Sequence, residues 1–229
     1  MAEYMAKGRS GKLAKFPPLD VYLVTDRLLA AGRSEEDIVR EALAAGVRWV
    51  QYREKNLAAR QQVETAERLC RLVKAAGGCF LVNDRVDIAV AVGADGVHLG
   101  QEDMPLAFAR RILGEDKVIG VSVSTVEEAL RAEREGADYL GAGAVFATAT
   151  KPEAGGIGLE GLKAIREAVS LPLVAIGGIT LENASAVIEA GADGIAVVSA
   201  IVRAAEVRRA AQQLLEKVRA ARREAERKR

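Results

Sequence analysis

Four times this chain repeats one short phrase: Ala45-Gly46-Val47-Arg48-Trp49, Val92-Gly93-Ala94-Asp95-Gly96, Glu135-Gly136-Ala137-Asp138-Tyr139 and Ala190-Gly191-Ala192-Asp193-Gly194. In each, an amphipathic stretch stops at a glycine suited to a helix C-cap, and a β-rich run begins at once. The glycines stand 47, 43 and 55 residues apart, about two strand-helix units each time. Eight short apolar runs read as strands, at 21–25, 47–53, 79–84, 96–100, 118–123, 139–145, 173–178 and 194–199. Between them apolar residues recur at helical spacing, as in Val63, Ala66, Cys70 and Val73, or Leu159, Leu162, Ile165 and Val169. Parallel strands with helical crossovers close most naturally as a single-domain α/β structure, the (β/α)8 TIM barrel. An open doubly wound sheet is the structural alternative.

Local signals agree with this reading. Ser34 and Thr125 are N-cap candidates, Thr125 in a capping box with Glu128, and Pro105 suits a first helical turn. A last helix from about Val207 seals the core with Leu214, Leu215 and Val218; 219–229 are expected to be a charged, fraying end. Residues 1–18 fit no periodic template and end in Pro17-Pro18, so a mobile arm is expected, covering the barrel bottom at most, with the catalytic barrel over 19–218.

Charge narrows the ligand class. Residues 1–16 hold four basic and one acidic side chain and 203–229 hold ten and four, leaving 19 basic against 27 acidic in 17–202. No basic face with interleaved aromatics is present in the body, which argues against nucleic acid. An anionic ligand must then be held by locally placed cations. Cys70 and Cys79, with one histidine in the chain, cannot supply a zinc ligand set. They read as reduced thiols of a cytoplasmic protein. No apolar run reaches the roughly 18 residues of a membrane span, and no signal core opens the chain. A homo-oligomer is compatible with all of this.

In such a barrel the strand C-termini and the loops after them form the active face. Strand two ends Gln51-Tyr52-Arg53-Glu54-Lys55, where alternation puts Gln51, Arg53 and Lys55 on one side. That row suits a phosphate or pyrophosphate; ion pairing with neighbouring acids is the plainer alternative. Strand three ends Asn83-Asp84, and strand four leads through His98 and Gln101 to Asp103. Two carboxylates facing those cations make an oxygen site suited to Mg2+, unless Asp84 merely caps the next helix. His98 is more naturally a satisfied packing residue than a general base. Ser122 on strand five either bonds a ligand or its own backbone. The loop 147–156 carries Thr148, Thr150, Lys151 and two glycines, a composition that can fold over a phosphate. Gly177-Gly178 and Val198-Ser199, ending strands seven and eight, match the phosphate cradle of many barrels.

Taken in order, these segments resemble thiamine phosphate synthase over about residues 20–202. The carriers are Tyr22-Leu23-Val24-Thr25-Asp26, the run from Gln51 to Lys55, Leu81-Val82-Asn83-Asp84, Gly96-Val97-His98-Leu99-Gly100-Gln101 with Asp103, Ile119-Gly120-Val121-Ser122, Thr148-Ala149-Thr150-Lys151, Ile176-Gly177-Gly178-Ile179 and Val198-Ser199-Ala200-Ile201. One departure is Ala147, where many relatives carry proline; it removes no ligand group.

The resemblance implies a transferase that joins a pyrimidine diphosphate to a thiazole phosphate and releases pyrophosphate. It places the pyrimidine diphosphate against the Gln51–Lys55 run, including Tyr52 and Glu54, with Asn83, Ser122 and Lys151. It gives Mg2+ to Asp84 and Asp103, and the thiazole phosphate to Thr148, Ala149, Thr150, Gly178, Val198 and Ser199. Arg53, Lys55, Ser122 and Lys151 would carry the chemistry, stabilising the leaving group. The rivals are a thiazole tautomerase paralogue of the same fold, a sugar-phosphate isomerase or epimerase, and a catalytically silent phosphate-binding scaffold. The first and last need not keep the cations and metal carboxylates present here. The isomerase needs a proton-transfer pair, and one histidine is the only ordinary group near neutrality.

Overall fold

Each strand is predominantly apolar on both faces, so neither side of the sheet can be left to water; closing the sheet hides one face and helices hide the other. The computed structural model describes residues 11–147 and 156–227. Strands β1 (Val21–Val24), β2 (Trp49–Tyr52), β3 (Cys79–Asn83), β4 (Gly96–Leu99), β5 (Val118–Val123), β6 (Tyr139–Gly143), β7 (Leu173–Ile176) and β8 (Gly194–Val197) pair in parallel in chain order, and β8 closes on β1. Helices α1 (Glu35–Ala45), α2 (Ala59–Ala75), α3 (Val86–Ala91), α4 (Leu106–Leu113), α5 (Val126–Arg134), α6 (Gly158–Ala168), α7 (Ala184–Glu189), α8 (Ser199–Val202) and α9 (Val207–Arg227) complete the fold. The expected TIM barrel is observed. Except for β5, the strands end a residue or two before the sequence pattern does, because those last residues leave the ladder to build the mouth.

Alternation along the strands separates two cores. Tyr22, Trp49, Leu81, Val118, Tyr139 and Val174 fill the barrel interior. Leu23, Val50, Phe80, Val97, Ile119 and Leu140 form the layer beneath the helices. There α2 buries Ala66, Cys70 and Val73, and α6 buries Leu162 and Ile165. Val169 is buried as expected but lies just past α6 in extended backbone.

The repeated phrase has a structural cause. Its glycines adopt φ of 106°, 64°, 89° and 104°, the left-handed turn out of each helix. Its aspartates, at the entries to β4, β6 and β8, then accept from the first or second amide of the preceding strand. Asp95 takes Phe80 N at 2.9 Å, Asp138 takes Ile119 N at 2.8 Å, and Asp193 takes Leu173 N at 2.8 Å. Each carboxylate also meets a cation: Lys74, Arg110 and Arg166 respectively. Where the first copy has Arg48 instead, its guanidinium bonds the Leu43 and Val47 carbonyls.

Several local expectations need correction. Ser34 and Thr125 do cap α1 and α5, but the Glu128 carboxylate bonds Ser124 N at 2.7 Å, one residue before the position a capping box requires. Pro105 is the N-cap of α4 and lies outside its first turn. The arginine-rich end expected to fray from 219 is helical through Arg227. Arg219 and Arg222 there bond the Asp20 carboxylate at 2.8 and 2.6 Å, and Ala221 is buried.

Residues 1–10 lie outside the described residues, whereas 11–18 cover the barrel bottom. Leu13 is buried, Phe16 meets Trp49 edge-on at 5.6 Å, and Trp49 Nε1 donates to Pro17 O at 2.9 Å. Cys70 and Cys79 are buried free thiols. Among the described residues no helix is long and apolar enough to cross a membrane.

Candidate active site

The ends of β1 to β4 gather the charged groups. Arg53 follows the last residue of β2, and its Nη1 lies 3.1 Å from Asp26 Oδ2 just beyond β1. Lys55 Nζ lies 3.5 Å from Asp84 Oδ2. Both cations are therefore paired with neighbouring acids, as the plainer reading of the row allowed. Those acids in turn hold the cations at the mouth.

Asp84 follows β3 with φ of 60°, a left-handed conformation that aspartate tolerates better than most residues. Its amide donates to His98 O at 2.9 Å, fixing the turn to the neighbouring strand. Its carboxyl stands beside that of Asp103. Burial pushes the Asp84 carboxyl up to about 6; the neighbouring Asp103 carboxyl acts the same way, against Lys55. Asp103 is held by Gly100 N at 2.6 Å, and a Cβ at Gly100 would come within 2.9 Å of that oxygen. Two carboxylates forced together in this way favour either a shared proton or a cation between them.

Below the charged rim the barrel holds a polar chain. Gln51, 4 % exposed, donates from Nε2 to Tyr22 Oη at 2.9 Å. Tyr22 and Tyr139 hydroxyls meet at 3.1 Å. Tyr139 Oη lies 2.8 Å from His98 Nδ1, and His98 Nε2 lies 2.8 Å from Ser122 Oγ. His98 is thus hydrogen-bonded at both ring nitrogens within the interior. Ser122 is further framed by Gln101, whose Nε2 donates to Ser122 O at 2.6 Å and whose oxygen receives Arg131. Asn83 ends β3 half-buried, in register with His98.

On the opposite side, Gly177 and Gly178 follow β7 with φ of 102° and 63°. A Cβ on Gly178 would meet Ala147 O at 2.7 Å, so only glycine lets these two loops approach. Asn183 braces this turn, donating to Gly178 O at 2.9 Å and accepting from Thr180 N at 2.8 Å. Ser199 opens the single turn of α8 directly after Val198. Arg33 clamps the far end of that turn, donating to Val202 O at 2.6 Å and Ala204 O at 2.8 Å.

Two members of the strand-two run belong elsewhere. Tyr52 points into the layer under the helices, since alternation from Gln51 turns it outward. Its hydroxyl is buried without a hydrogen-bond partner among the described residues, and burial pushes its pKa up. Glu54 bonds Arg27 Nε at 2.9 Å and Asn56 N at 2.6 Å, so it fastens the loop. Thr148, Ala149, Thr150 and Lys151 lie outside the described residues. Tyr139, Asp26, Asn183 and Arg33 were not singled out as site residues from the sequence. Of these Asp26 stood in the first segment of the resemblance, and Tyr139 left a trace as an aromatic in a strand flanked by the glycine-bearing strand β5. A surface concavity of about 700 Å³ lined by Arg33, Asp37, Val207 and Arg208 lies in the outer layer between α1 and α9 and shares only Arg33 with the groups above.

Residues 21–201 match the thiamine monophosphate synthase family. The chain is 53% identical over 207 residues to the thiamine-phosphate synthase of Moorella thermoacetica, spanning 90% of this chain and 99% of that one. It is 56% identical over 195 residues to the thiamine-phosphate synthase of Chloroflexus aurantiacus, spanning 85% and 90%. Among solved structures, the thiamine phosphate pyrophosphorylase from Pyrococcus furiosus superposes with a TM-score of 0.83 at 48% identity, over 89% of this chain and 96% of the other. With the fold and a polar mouth of this composition in place, these matches identify the chain as an enzyme of the transferase class that belongs to the thiamine monophosphate synthase family.

Proposed function

We propose that this chain condenses 4-amino-2-methyl-5-(hydroxymethyl)pyrimidine diphosphate with 4-methyl-5-(2-phosphoethyl)thiazole, or its carboxylated form, to thiamine phosphate and pyrophosphate. The observation that carries the reading is the meeting of Arg53, Lys55, Asp84 and Asp103 at the ends of β2 to β4 in a chain of this family.

The residues fit Mg2+. Among the described residues no group of three or more His, Cys, Asp or Glu could cage an ion, but magnesium takes one or two carboxylates and completes its shell with phosphate and water. Asp84 and Asp103 would hold it, and when bound it supplies countercharge to the diphosphate oxygens.

Gln51 orients the pyrimidine, while Arg53, Lys55, Asn83, Ser122 and Lys151 receive the diphosphate. The C–O bond to the methylene carbon breaks first, and its electron pair leaves with pyrophosphate. The electron-rich aminopyrimidine spreads the positive charge left on that carbon. The thiazole nitrogen then donates its lone pair to form the new C–N bond. Arg53 and Lys55 act where charge grows on the leaving group, the kind of preorganised stabilisation worth roughly 3 kcal/mol per donor. Gly178, Val198 and Ser199, with Thr148, Ala149 and Thr150, hold the thiazole phosphate so that its nitrogen faces the reacting carbon.

The test is pyrophosphate release by the purified protein from both substrates, with magnesium or with a chelator. Release that needs magnesium and is matched by thiamine phosphate is the expected result. Thiazole phosphate binding without any release sinks the assignment of Arg53, Asp84 and Asp103.

A further inference from the structure

The interior chain from Gln51 to Ser122 has a hydrogen count that ties its two ends together. It contains four bonds: Gln51 to Tyr22 at 2.9 Å, Tyr22 to Tyr139 at 3.1 Å, Tyr139 to His98 at 2.8 Å and His98 to Ser122 at 2.8 Å. At pH 8, where an ordinary imidazole is in its neutral form, the three inner members contribute one hydrogen each: two phenols and an imidazole. Burial pushes both phenols well above their ordinary range, so they keep those hydrogens. Three hydrogens cannot make four bonds. One end must donate inward, and only one can do so without two hydrogens meeting.

If Gln51 donates, the Ser122 hydrogen is left for a ligand and the Gln51 oxygen is left to accept. If Ser122 donates, Gln51 must turn its oxygen inward and offer its amine outward, while Ser122 presents only lone pairs. The observed amide, with Nε2 on Tyr22, is the first arrangement. It suits a diphosphate at Ser122 and an aromatic amine at Gln51 together. The alternative arrangement suits neither.

The fold makes room for this chain. Gly120 of β5 pairs in register with His98 on one side and Tyr139 on the other. A Cβ there would lie 2.1 Å from the Tyr139 ring, and one at Gly141 would lie 2.8 Å from His98 Cε1. Two inward positions therefore forgo side chains so that the rings can meet.

Building on the function proposed above, we infer that Tyr22, Tyr139 and His98 are positioning residues: they lock the Gln51 amide and the Ser122 hydroxyl into one complementary orientation, so that the diphosphate subsite sets how the pyrimidine is read. They touch neither reacting atom and act only through the chain ends.

The test is a double-mutant cycle on kcat/KM for the pyrimidine diphosphate at pH 8, in the wild-type and Tyr139→Phe backgrounds. Removing Gln51 frees the remaining chain to run either way, so Ser122→Ala costs about 5- to 10-fold less in Gln51→Ala than in the wild type, within the usual range for coupled neighbours. In Tyr139→Phe the chain is cut, and Ser122→Ala costs the same with or without Gln51. A purely structural role for Tyr139 lowers every variant alike and leaves the wild-type coupling intact, which overturns the inference, as does additivity in the wild type. Should Tyr139→Phe fail to fold, Tyr22→Phe cuts the same chain one link away and reads the same ratio. Absence of turnover in the wild type removes the synthase reading itself, an outcome distinct from additivity in an active enzyme.

Discussion

Arg53 Nη1 stands 3.1 Å from Asp26 Oδ2, joining the rim after β2 to the rim after β1. Asp26 Oδ1 meanwhile accepts from Leu28 N and Leu29 N at 3.0 and 3.1 Å, so this carboxylate anchors the guanidinium to a braced turn. Arginine has five donors in a fixed fork, and the pair engages one Nη while orienting the others. Asp26→Ala is expected to raise the KM for the pyrimidine diphosphate by about 5- to 30-fold, equivalent to about 1–2 kcal/mol of lost positioning. The KM for the thiazole phosphate should stay put. Steady-state kinetics with each substrate varied in turn checks this, and an unchanged pyrimidine diphosphate KM contradicts it.

Asp84 gives a pH-dependent stability with a defined sign. Its carboxyl sits at about 6 in the fold, above the roughly 3.9 of an unfolded aspartate. The folded state therefore holds this proton more tightly, and stability is lost as pH rises from about 4 through 6. Asparagine carries no such penalty and accepts the φ of 60°. Asp84→Asn should thus raise the Tm of the magnesium-free protein by about 2–4 °C at pH 8, for a gain on the order of 1 kcal/mol, with no gain at pH 4. Turnover should fall by about 100-fold or more. Equal Tm differences at both pH values would contradict the sign.

Asn183 braces the Gly178 turn by two hydrogen bonds, at 2.9 and 2.8 Å. Asn183→Ala should loosen the cradle side alone, raising the thiazole phosphate KM by about 3- to 10-fold for roughly 1 kcal/mol of lost bracing. An effect of similar size on both substrates would argue against two separate subsites.

Asp138 illustrates a different kind of carboxylate. It accepts from Ile119 N and meets Arg110 at 2.7 Å and Lys12 at 3.3 Å, at the closed end of the barrel. Removing one partner of a buried pair costs about 3–5 kcal/mol. Asp138→Ala should therefore lower Tm by roughly 6–20 °C while leaving the KM values of the folded fraction unchanged, as calorimetry beside kinetics would show.

The barrel was legible because its signals are local: glycine C-caps, alternating strands and apolar helical stripes all depend on near neighbours. That Gln51, Arg53, Lys55, Asp84, Asp103 and Ser122 gather at the barrel mouth was legible because polar residues at strand ends stand out against apolar runs. Tyr52 was misplaced because its neighbours in sequence are mouth residues, whereas one step of alternation sends its ring to the helices. Tyr139 was overlooked for the converse reason. It begins an apolar strand, and its hydroxyl reaches Tyr22, 117 positions away, a contact that exists only once the barrel closes. Arg219 and Arg222 read as surplus charge until Asp20, far off in sequence, came beside them.

That last contact bears on how the protein is made. Asp20 immediately precedes β1, the strand that must join β8, and its arginine partners lie 199 and 202 residues downstream. A nascent chain can assemble its successive strand pairs as they emerge, yet the seam waits for α9 before its carboxylate is neutralised. Until β8 emerges the chain is an open-sided sheet with two unsealed edges, the condition in which nascent chains recruit chaperones or one another. The arginines of α9 thus delay the latching of this seam until α9 itself has been made.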